Sequence, residues 1–175
     1  MVKFVELFGN RSLVKLLDFF LLNDKEHSQT QIIKKTKISK ATAIKWLGKL
    51  EKEKLIKSTR IGVTKLFIIN KSNVIIKQLK ILKTITDLNS LNIKNVKVYI
   101  YGSAARGENN QESDIDLMII GKIKREDVIS EMKNLSKKLK KEIRFEIFNP
   151  QEWSQMARKD PAFYERVEKD KIELI

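Results

Sequence analysis

Three segments in the first third of the chain repeat apolar residues at helical spacing. The first predicts a helix with Ser12 as its N-cap and with inward positions Leu13, Leu16, Leu17 and Phe20. The second predicts a helix from its cap Ser28 to about Lys37. The third predicts a helix from Lys40 to about Lys54, capped by Ser39, with buried positions Ala43, Leu47 and Leu50.

Two short segments after the third helix have the composition of strands. Leu55 to Thr59 and Lys65 to Ile69 predict a β-hairpin whose loop begins at Arg60 and carries basic residues at its tip. His27, just before the second helix, lies in a polar segment and is expected to be solvated.

The rest of the chain predicts a second, mixed domain. An amphipathic connecting helix spans about 73–91, and Val96 to Tyr101 alternates in the manner of a half-buried strand. Further strands are predicted at Asp114 to Ile120 and Ile143 to Phe148, side by side in one sheet with helices on one face. The helices are predicted at 124–141, 152–159 and 162–168, with a small core closed by Trp153, Met156, Phe163 and Tyr164.

Composition narrows the class of protein. The 175 residues include no cysteine, which excludes disulfides and thiolate metal sites. No apolar run approaches the roughly 20 residues of a membrane span, and the first residues lack a signal-peptide pattern, so a cytoplasmic protein is expected.

Positive charge is concentrated in the first half of the chain. The net charge is +14; residues 1–90 hold 19 Lys and Arg against 7 Asp and Glu, whereas residues 91–175 hold 17 against 15. This asymmetry indicates a nucleic-acid-binding module joined to a nearly neutral domain.

Two aspartates at the start of a predicted strand carry the clearest chemical signal. Asp114 and Asp116 are two residues apart and therefore share one face of the strand. Like charges this close repel each other, and a Mg²⁺ ion, which proteins bind through one or two carboxylates plus substrate phosphates, relieves the repulsion. Gly102 lets the backbone approach a phosphate. A metal-bound nucleoside triphosphate suits both features.

The pattern Gly102-Ser103, ten residues, Asp114-Ile115-Asp116-Leu117 resembles the nucleotidyltransferase superfamily, in particular the minimal nucleotidyltransferases of bacteria and archaea, which are antitoxin-like. The resemblance implies two Mg²⁺ ions as cofactor and ATP or another nucleoside triphosphate as substrate. It implies that the catalytic and metal-binding carboxylates are Asp114, Asp116 and Glu146. It also implies nucleotide contacts from Gly102, Ser103, Arg106 and Ser113. Two alternatives stay open: Glu146 pairs with Arg144 instead of a metal, and Ser113 only caps a turn.

The run from Ile38 to Ile56, ISKATAIKWLGKLEKEKLI, resembles the recognition helix of winged helix-turn-helix proteins. That resemblance implies DNA contacts from Ser39, Lys40, Thr42, Lys45, Lys49, Arg60 and Lys65. The alternative is a three-helix domain with a solvated lysine face.

The expected fold class is α+β: a winged helix-turn-helix domain at 1–72, a connecting helix at 73–92 and a nucleotidyltransferase-type α/β domain with a small mixed sheet at 93–175. Two functions follow. The first is Mg²⁺-dependent transfer of a nucleotide, AMP from ATP, to a protein or small-molecule acceptor; the resemblance implies a partner toxin of the HEPN type. The second is a DNA-binding transcriptional regulator whose second domain senses nucleotide without catalysis. A homodimer is left open.

Overall fold

The computed structural model describes residues 9–175. Residues 1–8, the start of the predicted first domain, lie outside the described residues. The chain divides into two compact units, with the boundary between Lys80 and Ile81. That boundary lies inside the predicted connecting segment 73–92.

Three helices and a three-stranded antiparallel sheet form the first unit. The elements are α1 (Arg11–Leu22), β1 (His27–Ser28), α2 (Gln29–Thr36), α3 (Lys40–Lys52), β2 (Ile56–Ile61) and β3 (Thr64–Ile69). The sheet order is β1-β3-β2. The predicted hairpin after the third helix is present, but it is tighter than expected, because Ile61 pairs with Thr64 and only Gly62 and Val63 form the turn. Arg60 and Lys65 therefore face each other within the strands instead of lying at the tip.

Local capping decides where these helices begin. Ser28 caps α2 in a capping box with Gln31, and the Ser39 hydroxyl accepts a hydrogen bond from the Thr42 N–H, both at the predicted positions. The cap of α1 is Asn10, which accepts from the Leu13 N–H, so the prediction of Ser12 was wrong by two residues. Asparagine and serine are equally good caps, and the helical periodicity alone does not separate them.

The core of the first unit is formed by the predicted helix faces. Ala43, Leu47 and Leu50 of α3 are buried against α1 and α2, together with Phe20 and Ile32. The largest correction concerns His27, which is 8% exposed and not solvated. Its ring lies 4.9 Å from that of Phe19, centroid to centroid, because β1 draws it into the sheet opposite Phe67.

The fourth helix, α4 (Val74–Leu88), crosses the boundary between the units. Its first half carries Lys80, whose side chain is 4% exposed and whose ammonium lies 3.5 Å from the Asp24 carboxylate. Burial lowers the pKa of Lys80, and Asp24 opposes that effect. An ion pair therefore fastens the start of α4 to the segment after α1.

The second unit contains a four-stranded mixed sheet. Its remaining elements are β4 (Val96–Tyr101), α5 (Gly102–Ala105), β5 (Ile115–Gly121), α6 (Arg125–Leu139), β6 (Ile143–Phe148), α7 (Pro150–Lys159), α8 (Pro161–Asp170) and β7 (Ile172–Glu173). The strand order is β6-β5-β4-β7; β5 and β6 are parallel, and the other pairs are antiparallel. The three predicted strands are thus adjacent, as expected, and β7 is an addition.

Both faces of this sheet are covered, which corrects the prediction of helices on one face. One face packs Val98, Ile100 and Leu117 against α6. The other packs Tyr99, Tyr101 and Met118 against Trp153 of α7 and Val167 of α8. The predicted aromatic closure of the core is confirmed, and it explains why β4 is buried on both faces although its lysine and tyrosines suggested a half-buried strand.

Among residues 9–175, no helix is long and apolar enough to cross a membrane.

Candidate functional site

The turn at Gly102 brings the end of β4 against the start of β5. Gly102 has φ +71, a left-handed conformation that favours glycine. Its neighbour Tyr101 pairs with Asp116 across the antiparallel ladder. A Cβ atom added to Gly102 would lie 2.9 Å from Oδ2 of Asp116. Only glycine therefore lets this carboxylate rest directly on the backbone of the turn.

Asp116 and Asp114 lie on the sheet face that carries Met118, as their spacing predicts. Burial raises the pKa of Asp116 above its ordinary value; the charge of Asp114 adds to the rise, whereas Arg144 and Arg166 oppose it. A half-buried carboxylate whose charge is disfavoured is a good ligand for a cation, because cation binding removes the electrostatic cost.

Arg144 contributes a cation to this pair of carboxylates. The parallel register places it opposite Asp116, and its Nη2 lies 2.8 Å from Oδ2 of Asp114. Its Nε lies 3.2 Å from Oε1 of Glu142. The ion pair considered from sequence joined Arg144 to Glu146; the pairs found join it to Asp114 and Glu142 instead.

Glu146 lies on the same sheet face but further along β6. It stands opposite Met118, two positions beyond the partner of Asp116, and its side chain is exposed. The negative charges of Asp116 and Glu146 both add to the effect of burial, which raises the pKa of Tyr101. Within residues 9–175, no group of three or more His, Cys, Asp or Glu side chains is placed to hold a metal ion.

Asp114 and Asp116 are of the residue type that binds a divalent cation such as Mg²⁺. The donor set is two carboxylates with an open glycine backbone beside them, and Mg²⁺ is commonly bound by one or two carboxylates and completed by substrate phosphates. The ion pair with Arg144 shows that Asp114 already binds a positively charged group.

Two of the remaining predicted nucleotide contacts, Arg106 and Ser113, have their side chains bonded within the protein. Arg106 donates to Glu108 at 2.9 Å and to Asp170 of α8 at 2.8 Å. Ser113 donates to the Asn110 side chain and accepts from the Asn110 N–H, both at 2.9 Å, which orders the turn before Asp114. The backbone carbonyl of Ser103 accepts from Glu108 N–H at 2.9 Å.

Sequence reasoning missed two groups beside the carboxylates. Tyr101 precedes the glycine and faces the same side as Asp116, which the alternation of β4 could have shown. Arg166 lies on α8, with its guanidinium 5.3 Å from the Phe163 ring centroid, and its charge opposes the rise in the pKa of Asp116. No local pattern identifies Arg166, because α8 is 50 residues distant in sequence from Asp116.

A cleft of about 510 Å³ lies at the carboxyl ends of β5 and β6. Glu146 is at its wall, together with Lys122, Arg125 and Glu152. The residues that line the cleft do not include Asp114, Asp116 or Gly102, because the two aspartates lie at the start of β5 and the cleft lies at its end.

The predicted DNA-contacting residues lie on α3 and the hairpin of the first unit. Ser39 donates its hydroxyl to Thr42 Oγ1 at 2.8 Å. Lys45 and Lys49 lie 5.6 and 5.4 Å from the Trp46 ring centroid. On the same α3 and hairpin, Lys40 and Arg60 are exposed.

Lys65 behaves differently from the other basic residues of this surface. Its ammonium is 2.7 Å from Oε2 of Glu51. The hydrogen bond from Lys65 is the main cause of a lowered pKa at Glu51. Lys65 therefore tethers the hairpin to α3, and a role at phosphate would have to compete with that ion pair.

Comparisons with known proteins assign the chain to a family through residues 80–167. No curated protein sequence matches the chain. A solved structure described as "Crystal structure of the toxin-antitoxin with AMP-PNP" is similar at 16% identity and a TM-score of 0.37, covering 54% of this chain and 72% of the other. The profile of the family described as "Polymerase beta, Nucleotidyltransferase" matches residues 80–167, half of the chain, and includes the Gly102 turn and both aspartates. The chain therefore belongs to the polymerase beta nucleotidyltransferase family.

Proposed function

We propose that the protein transfers a nucleoside monophosphate, AMP from ATP, to a hydroxyl of a protein or small-molecule acceptor. The acceptor oxygen bonds to the α-phosphorus and loses its proton, the bond between the α- and β-phosphates breaks, and pyrophosphate leaves. The observation that carries the proposal is the contact of the Asp116 carboxylate with the Gly102 turn, with Asp114 on the same face. A phosphate that approaches the turn and a cation on the carboxylates would then be neighbours.

The residues have distinct roles in this proposal. Asp114 and Asp116 hold Mg²⁺, which when bound supplies Lewis-acid polarisation of the phosphate. Gly102 and Ser103 bind phosphate oxygens through backbone N–H groups and the hydroxyl. Arg106 and Ser113 position the two ends of the loop between α5 and β5, since both are bonded within that segment or to α8. Glu146, with a second Mg²⁺, remains a prediction.

The test is transfer of label from [α-³²P]ATP by the full-length protein with Mg²⁺. Because the resemblance implies a HEPN-type toxin as acceptor, the product of the neighbouring gene is added as one arm and the protein alone as another. Asp116→Asn is expected to abolish the transfer. Glu126→Gln, which removes an exposed carboxylate of α6, is the matched control and should retain it. Equal labelling by Asp116→Asn and wild type would refute the proposal.

A second proposed function is DNA binding by the first unit, as a winged helix-turn-helix with α3 as the recognition helix. It is supported by the excess of 12 positive charges in residues 1–90 and by the exposed Lys40, Lys45 and Lys49 on α3. Such an electrostatic interface loses affinity with a slope of about −0.9 per neutralised phosphate in a plot of log K against log salt.

Fluorescence anisotropy of the full chain on operator-region and random duplexes tests this second function. Lys45→Ala is expected to change which duplexes are preferred, whereas Arg60→Ala should weaken all duplexes alike and flatten the salt slope by about one unit. Lys133→Ala on α6 is the control for loss of one exposed charge. No binding at low salt would exclude DNA as the partner.

The pairing of Arg144 with Asp114 favours an alternative in which the nucleotidyltransferase domain of such a regulator senses nucleotide without turnover. The two functions separate in one experiment. Nucleotide binding that changes the affinity for DNA, with no labelled product in any arm, would support the sensor.

A further inference from the structure

Arg144 pairs with one of the two carboxylates that would hold the metal ion in the proposed reaction. The parallel pairing of β5 with β6 sets it directly opposite Asp116. Its guanidinium lies 2.8 Å from the Asp114 carboxylate. Its side chain is 61% exposed, so it can leave this position without disturbing the core.

The Arg144 guanidinium contacts Oδ2 of Asp114, so a metal ion that binds both oxygens of this carboxylate has to displace it. A bare metal ion that binds only the other oxygen places a second positive charge close to the guanidinium. A metal ion that arrives on a triphosphate brings negative oxygens with it. Arginine binds phosphate oxygens in the same planar, two-pronged way as it binds carboxylates, so the displaced guanidinium gains a replacement partner.

We propose that Arg144 is an exchangeable counter-ion: it pairs with Asp114 in the nucleotide-free protein and transfers to a phosphate of the metal-bound nucleotide when that complex binds. The inference rests on the proposed nucleotidyltransferase function. It assigns Arg144 a positioning role and predicts that the metal enters with the nucleotide and not ahead of it.

The surroundings of Arg144 support an exchange of partners. Glu142, its second partner, is also exposed, so it does not hold the guanidinium in a buried network. Arg166, on the opposite helix, also acts on Asp116 but is exposed and packs on Phe163. Two exposed arginines therefore lie near Asp114 and Asp116, and among the described residues only Arg144 forms an ion pair with a proposed metal ligand.

The first test is Mn²⁺ binding to the full-length protein without nucleotide, measured by electron paramagnetic resonance of the free ion. Arg144→Gln is expected to bind Mn²⁺ roughly two- to fivefold more tightly than wild type, the range of an exposed ion pair. Arg144→Lys keeps the charge and should stay within twofold of wild type. Glu142→Gln leaves the pair with Asp114 intact and should not tighten binding; Asp114→Asn should weaken it.

An Arg144→Gln protein that binds Mn²⁺ no better than wild type would overturn the counter-ion role, as would unchanged binding by Asp114→Asn. Thermal melting of each variant checks that the fold is retained, which the exposure of Arg144 leads us to expect.

The second test is affinity for a non-hydrolysable ATP analogue with Mn²⁺, measured by calorimetry. Arg144→Gln is expected to lose roughly three- to tenfold in affinity, because the phosphate loses a charge-assisted hydrogen bond. Unchanged affinity in this variant, beside a wild type that binds, would overturn the exchange alone. A wild type that does not bind the analogue would overturn the proposed function and the exchange together.

Discussion

Gly102→Ala tests whether the contact between the turn and Asp116 organises the site. Two costs are expected. The first is conformational, since a residue with a Cβ at φ +71 is disfavoured by about 1–2 kcal/mol. The second is steric, because the new Cβ would lie 2.9 Å from Oδ2 of Asp116 and the carboxylate has to turn away. The steric term should add about 0.5–1.5 kcal/mol, the size of coupling between contacting residues.

The free energy of unfolding should therefore fall by about 1.5–3.5 kcal/mol. For a chain of this length the melting temperature should fall by about 2–4 °C per kcal/mol. The assay is denaturant unfolding of four proteins: wild type, Gly102→Ala, Asp116→Ala and the double variant. With Asp116 shortened to alanine, the added Cβ meets no carboxylate, and only the conformational cost should remain.

Gly62→Ala is the matched control. Gly62 has φ +58, and nothing lies within 4 Å of an added Cβ, so this substitution should show the conformational cost alone. Additive effects of Gly102→Ala and Asp116→Ala would refute the reasoning, because they would mean that the two residues do not press on each other. The binding assay with nucleotide analogue should in addition show a larger loss for Gly102→Ala than for Gly62→Ala.

Three further predictions follow from buried or paired charges. Asp116→Asn should raise the free energy of unfolding by about 0.5–2 kcal/mol at neutral pH while abolishing metal-dependent nucleotide binding, as is common when a functional charge is removed. Because burial raises the pKa of Asp116, the native state binds the proton of this carboxyl more tightly than the unfolded state does. This contribution to stability is full below the ordinary pKa of aspartate and is lost as pH rises through the raised pKa. Denaturant titrations at several pH values should show this decline for wild type and not for Asp116→Asn. Asp24→Ala removes the carboxylate beside the buried ammonium of Lys80 and should lower the free energy of unfolding in urea by about 2–4 kcal/mol. Lys80→Met removes the buried charge itself and should lower it less. Equal losses for the two variants would contradict this explanation. The ion pair between Arg106 and Asp170 should contribute about 0.5–1 kcal/mol to the free energy of unfolding, so Asp170→Asn and Arg106→Gln should each lose that amount. The double variant should be no less stable than either single variant, and a series of thermal-shift measurements would check this.

The local elements of this protein were predictable because neighbours in sequence decide them. The helix caps at Ser28 and Ser39 depend on bonds that span three residues, and both were found at the predicted positions. The inward face of α3 follows from its periodicity. The spacing of Asp114 and Asp116 predicted that they share one face of β5, because a strand alternates its faces whatever it packs against. The same alternation of apolar and polar residues predicted the strands that carry these residues.

Contacts between segments distant in sequence decided the features that the sequence did not predict. His27 is buried because β1 pairs with β3, 40 residues later in the chain, and no signal near His27 indicates that pairing. The sheet is covered on both faces because α7 and α8 fold back over Tyr99 and Tyr101. Arg144 faces Asp116 because two parallel strands align in one register; a shift by one residue would turn its side chain to the other face. Strand register and the packing of remote helices are properties of the whole fold, so the sequence alone could place the carboxylates but not the cation that pairs with them.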